Sequence, residues 1–254
     1  MKNLSISAAW NEAATFVKRE GSLLFPVAFA LIALPSILFQ ATAPVPVPGQ
    51  QPEPGLWPLF FLPMLLVTLL GTLTLTIMAL HPGTVVKDAI AAAARRVLPV
   101  FGGVFVFGLV VALIATPIAV ASAGEKIGVG AGLTALLLLA TLPVLLFVCV
   151  RLMLVNPVGA NEAVGPIAML KRSWALTAGH FWKLLGFLIV VAIVAIIIAV
   201  AVNAIGGIFV LLVAGTPDPG SLPAVLLLVL SGLLNAVVSV FVSAAIARIY
   251  AQLA

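Results

Sequence analysis

Charge is what this sequence most lacks. Only 7% of its 254 residues are Asp, Glu, Lys or Arg, against about 25% in an ordinary water-soluble domain. Water cannot hold a surface this apolar, and the mean hydropathy of +1.34 makes lipid the solvent. There is one cysteine, Cys149, which excludes an intrachain disulfide and leaves the redox compartment unconstrained. The two histidines, His81 and His180, stand far apart with no second ligand at metal spacing. Glu12, Glu20, Asp88 and Glu162 form no carboxylate pair at catalytic spacing, and no nucleophile has a base beside it. The reading is therefore of a non-enzyme without metal or cofactor. A net charge of +5 would suit nucleic acid on a soluble protein. Here the basic residues sit at the edges of apolar runs, where they set orientation and meet anionic headgroups.

What is present is a set of long apolar runs, each of the roughly 18 or more residues a transmembrane helix needs. Six are expected: Ser22 to Gln40, Pro58 to Leu80, Leu98 to Ser122, Gly130 to Val155, Trp182 to Ala214, and Leu222 to Ile246. The fifth exceeds a ~30 Å core at about 1.5 Å per residue, and Gly206-Gly207 is the expected break. Lys18-Arg19 before an apolar run and Ala41-Thr42-Ala43 after it imitate a signal peptide. Pro44 would follow the scissile bond, so cleavage is not expected. A proline-rich loop, APVPVPGQQPEPGLWP, follows the first span and reads as extended and solvated, with Trp57 as an interfacial anchor.

Three amphipathic helices precede the odd-numbered spans. Ile6, Trp10, Ala13 and Val17 share one stripe within Leu4 to Glu20. Val86, Ile90, Ala93 and Val97 share a second, with Thr84 as its expected cap. Ala163, Ile167, Leu170 and Trp174 share a third, with Pro166 in its first turn. Basic pairs recur at Lys18-Arg19, Arg95-Arg96 and Lys171-Arg172, 77 and then 76 positions apart. Leu-Pro pairs recur in the even spans at Pro63, Pro143 and Pro223, 80 apart both times. The expected fold is all-α: a polytopic membrane protein of six transmembrane helices plus three cytoplasmic interfacial amphipathic helices, in a threefold parallel internal repeat. One domain covers residues 1–254, with approximate repeats at 1–82, 83–156 and 157–254. Eleven of the twelve basic residues fall on one side of this arrangement and only Lys126 on the other. The positive-inside rule then places both termini and the amphipathic helices in the cytoplasm, in a prokaryote-like inner membrane.

The densest polar island is RLMLVNPVGANEAVGPIAMLKRSWALTAGHFWK, Arg151 to Lys183. Arg151 lies within an apolar run near a span's end, where it snorkels as an anchor or pairs with Glu162 or a lipid phosphate. Gly128, Gly130 and Gly132 follow no strand and read as a turn and a close helix approach rather than a phosphate loop. Asn203 and Asn235 lie within spans and are expected to bond a neighbouring helix. Thr68, Thr72, Thr74 and Thr76 can return their hydroxyls to the helix backbone. Candidate lipid or partner contacts are Arg151, Glu162, Lys171, Arg172, Trp174, His180, Trp182, Arg95 and Arg96.

Arg151, Pro157, Glu162, Lys171-Arg172-Ser173-Trp174, Leu176-Thr177, Gly179 and Phe181-Trp182 together resemble the signature of the glycerophosphoryl diester phosphodiesterase membrane-domain family. In that family an Arg ends a span, a Pro and an acidic residue follow, and a helix closes in a Ser-Trp-x-Leu-Thr-x-Gly type of motif. The resemblance covers some thirty residues and implies a multi-pass membrane module. It implies no activity, because the acidic and His-containing loops of the family's catalytic domain do not occur in this sequence. Two functions are expected: a scaffold or accessory module for other membrane proteins, or, as the alternative, binding or transport of phospholipid or another amphiphile. The partners that follow are membrane lipids, including anionic headgroups at the cytoplasmic face, and another membrane protein or a second copy of the chain. Nucleic acid is not among them.

Overall fold

The computed structural model describes residues 4–42, 57–124, 131–216 and 221–254, and these are helical almost throughout, with no strand among them. Six helices are long and apolar enough to cross a membrane. Residues 43–56 of the proline-rich loop, with Glu125, Lys126, Gly128, Gly130 and Asp218, lie outside the described residues.

Helix α1 (Ile6–Ala28) starts at Ser5, whose hydroxyl accepts the Ala8 N–H at 3.3 Å. It continues through one π-helical turn, Phe29–Ala33, into α2 (Leu34–Thr42). The Leu34 N–H reaches five residues back to the Phe29 carbonyl. Pro35 follows directly and has no N–H for the α-helical ladder, so the extra residue absorbs the mismatch. The expected interfacial helix Leu4–Glu20 is thus the first part of one continuous rod. A single Gly21 at the junction costs only about 1 kcal/mol and does not break it. Its apolar stripe also faces protein: Ala9, Ala13 and Phe16 are buried, and Trp10 meets the Phe241 ring edge-on at 4.6 Å.

Helix α3 spans Trp57–Leu80. In α4 (Val86–Gly124) the second amphipathic segment and the third span again form one helix, through Pro99 and Pro117. Thr84 does not cap it: the helix begins one residue later, where the Val85 carbonyl accepts the Asp88 and Ala89 N–H groups at 3.0 Å, and the Thr84 hydroxyl donates to the His81 carbonyl at 2.7 Å. The remaining helices are α5 (Ala131–Leu152), α6 (Val155–Asn161), α7 (Pro166–Thr177), α8 (Phe181–Ala214) and α9 (Leu222–Leu253). Only the third amphipathic helix, α7, stands apart. Pro166 in its first turn and Gly179 at φ +81° give the chain the two corners that the first two segments lack. Helix α8 runs unbroken through Gly206-Gly207. Gly206 serves instead as a flat face against Leu230 of α9, a small-residue contact suited to lipid.

The long helices pack in sequence order around a ring, and α9 closes on α1 more extensively than any other pair. The α5–α8 seam is the thinnest. Neighbour order is what a parallel repeat expects, yet contacts across the axis are unequal. Helix α3 packs on α9, while α5 makes no comparable contact with either. The best-buried side chains, among them Leu73, Leu154, Met169, Leu184 and Ile249, gather toward the end where the termini meet. There the Ser5 N–H donates to Gln252 Oε1 at 3.0 Å, and Lys183 Nζ donates to the Leu4 carbonyl at 3.1 Å.

Candidate functional site

The site is built where α5 stops. The last four carbonyls of a helix have no partner within it, and Arg151 carries one of them. Its carbonyl accepts the Ser173 hydroxyl at 2.9 Å and the Thr177 hydroxyl at 3.1 Å. Ser173 and Thr177 are one turn apart on α7, and both are fully buried. Two small hydroxyls on one helix face therefore dock α7 against the end of α5.

That docking brings Trp174 over the Arg151 side chain. The guanidinium carbon lies 5.3 Å from the Trp174 ring and 5.2 Å from the ring of Phe147. Phe147 precedes Arg151 by one turn of α5, so the cation sits beside two aromatic rings. Such contacts are worth about 2 kcal/mol when desolvated. Phe147 also meets Trp174 at 5.6 Å and Phe181 at 5.3 Å, and Phe181 meets Trp182 at 5.3 Å. Arg151 Nε and Nη1 are buried, and neither has a hydrogen-bond partner among the described residues. Two donor nitrogens are thus turned away from water without an acceptor, a state that costs about 1–3 kcal/mol per group, more when the group is charged.

Glu162 is not the partner of Arg151. Its carboxylate accepts Arg172 Nε at 3.1 Å and the Tyr250 hydroxyl at 2.8 Å. Asn161 Nδ2 donates to the same tyrosine oxygen at 3.2 Å. This network ties the α6–α7 corner to the end of α9. Arg96 of α4 donates to the Ala160 carbonyl and satisfies the end of α6. Of the expected contacts, Arg151 and Trp174 form one cluster, and Glu162 and Arg172 a second with Arg96 near by. Lys171 and Arg95 are exposed. His180 precedes the first turn of α8, with Nδ1 3.2 Å from the Ala178 carbonyl. Trp182 is 79% exposed. Sequence reasoning missed Phe147, Asn161 and Tyr250. The i−4 spacing of Phe147 from Arg151 was the available signal. Ser173 and Thr177 were visible only as motif positions without a role.

The family model described as a domain of unknown function (DUF7847) matches residues 4–253. No curated protein and no solved structure matches the chain. With nearly its whole length matched, the chain belongs to the DUF7847 family.

Proposed function

We propose that this chain is a non-enzymatic membrane module that seats the anionic headgroup of a phospholipid, or of a similar amphiphile, at Arg151. The observation that carries the reading is the pair of buried guanidinium nitrogens, Nε and Nη1, held against Phe147 and Trp174 without an acceptor among the described residues. A phosphate oxygen is the acceptor that a planar guanidinium matches best. The flanking aromatic rings suit the boundary between acyl chains and headgroups. By the positive-inside asymmetry, this end of the bundle faces the cytoplasm of a prokaryote-like cell. The resemblance of Arg151–Lys183 to a phosphodiesterase membrane module fits a headgroup seat without catalysis.

Native mass spectrometry of gently extracted protein tests this. Wild type retains a phosphatidylglycerol adduct, and Arg151→Met, which keeps the side-chain bulk, binds it about 10- to 150-fold more weakly, as expected for one charge-assisted hydrogen-bonding group. Equal retention by both proteins would overturn the reading. A scaffold function is the second reading, favoured by the exposure of Trp182 at the start of α8. Loss of one co-purifying membrane protein in Trp182→Ala, with lipid adducts unchanged, would support it in place of the first.

A further inference from the structure

Two polar stripes run down helices that otherwise face lipid or core. On α3, Thr68, Thr72 and Thr76 recur at every fourth residue, and on α9, Ser231, Asn235, Ser239 and Ser243 do the same. That spacing puts each set on one helix face. Where the two faces meet, a cavity of about 210 Å³ opens, lined by Thr72, Thr76, Asn156, Ser239 and Ser243. Val238 is part of its wall and also borders a shallow open groove, which Ser231 and Asn235 line against α8. From Ser231 to Ser243 the stripe covers about 18 Å at 1.5 Å per residue.

Three of the lining hydroxyls have their protons spoken for. Thr72 donates to the Leu69 carbonyl at 3.0 Å, Thr76 to the Thr72 carbonyl at 2.7 Å, and Ser239 to Asn235 Oδ1 at 3.4 Å. Their lone pairs are what they offer the cavity. Asn156 Oδ1 is buried with no partner among the described residues, as is Thr68 Oγ1, one turn above Thr72. Pro157, on the same wall, has no N–H to return to the Met153 carbonyl. The wall carries no ionisable side chain. The Asn156 amide nitrogen and the Ser243 hydroxyl add donors to the wall, but an anion would meet no positive charge, and a divalent cation would find no carboxylate. The matching guest is uncharged and both donates and accepts hydrogen bonds, as a hydroxyl does. The volume far exceeds the ~10–15 Å³ that one water needs and falls below the ~300 Å³ of drug-sized pockets.

We propose that the meeting of the α3 and α9 stripes is a hydrated binding cavity for a small, uncharged, hydroxyl-bearing solute. The site is separate from Arg151, and its test uses different side chains. In a Cys149→Ser background, Ser239→Cys and Ser243→Cys in native membranes should react with N-ethylmaleimide about tenfold or more faster than Ile197→Cys on the outer surface of α8, because only a wet thiol ionises. Equal rates would show a dry cavity and overturn the proposal. In the second measurement, ethylene glycol and glycerol should raise the thermal midpoint of the wild type by about 3 °C more than that of Thr72→Val/Ser239→Ala, at roughly tenfold excess over Kd. Polyols stabilise proteins generally, so only the difference counts. Equal shifts in both proteins would overturn the solute seat even if the cavity is wet.

Discussion

Removing the hydroxyls that hold α7 to the end of α5 should destabilise the bundle in a non-additive way. Ser173 Oγ lies 2.9 Å from the Arg151 carbonyl and has that oxygen as its main acceptor. Thr177 Oγ1 has one proton and three carbonyls in range: Arg151 at 3.1 Å, Ser173 at 2.9 Å and Trp174 at 3.1 Å. Its donation to Arg151 is shared. Interhelical hydrogen bonds in membrane bundles average about 0.6 kcal/mol, with a maximum near 1.7. Ser173→Ala alone should therefore cost about 1 kcal/mol, since Thr177 can turn toward the vacated oxygen. Thr177→Val alone should cost about 0.3 kcal/mol, because Ser173 still serves that carbonyl. The double variant leaves a carbonyl at a helix end with neither donor, and an orphaned buried acceptor costs about 1–3 kcal/mol. The expected loss is about 2 kcal/mol, with a coupling near 0.7 kcal/mol. Reversible unfolding in mixed micelles, followed by tryptophan emission, reads both quantities. Additive single losses, or a double variant as stable as wild type, would refute the shared-acceptor reasoning.

Gly159→Ala should cost about 1–3 kcal/mol in the same assay, because a Cβ there meets buried Val100 and the Met169 sulfur, and a packed core has no room for an added methyl group. Tyr250→Phe removes the hydroxyl that Glu162 and Asn161 share. It should cost about 1 kcal/mol and free the α6–α7 corner, seen as faster amide exchange around Glu162 while α1 exchange is unchanged. Gly179→Ala places a Cβ at φ +81° and should cost about 1–2 kcal/mol, with Gly179→Asn milder because Asn tolerates the left-handed region. Equal losses for Ala and Asn at position 179 would show that contact rather than backbone conformation sets the cost.

The helical class and the six spans were legible because lipid demands long uninterrupted apolar runs, and run length is written directly in the sequence. Helix ends were legible only where the chain supplies a corner. Pro166 was visible as such, Gly179 only as a motif position, and α7 is separate. Glu20-Gly21-Ser22 and the stretch into Pro99 looked like boundaries because polarity changes there. Polarity decides where a helix lies and does not interrupt its hydrogen bonds, so both segments continue as single rods. Gly206-Gly207 misled for the converse reason: in lipid, Gly is first a packing surface. Within the site, Arg151 was legible as an isolated charge in an apolar run. Its setting was not, since Phe147, Trp174, Ser173 and Thr177 converge on it from two helices. Charge complementarity suggested Glu162 as its partner, yet Arg172, ten residues along the same chain, reaches that carboxylate first.

The polar stripes show why pairwise reading stops short. Taken one at a time, Thr72 and Thr76 satisfy their own hydroxyl protons and need no ligand, and the hydrogen bonds to Leu69 and Thr72 bear that out. Asn203 does bond a neighbouring helix, accepting from Ser231 of α9 at 3.3 Å, whereas Asn235 accepts from Ser239 of its own helix. A donated proton settles only half of a hydroxyl's chemistry. The other half, its lone pairs, acquires meaning only when a second helix brings further polar groups to the same space. That pairing depends on α3 packing on α9 across the ring, a contact between segments some 160 positions apart by the Thr76–Ser239 separation. Helix periodicity predicts the two faces separately, and only the tertiary packing turns them toward each other.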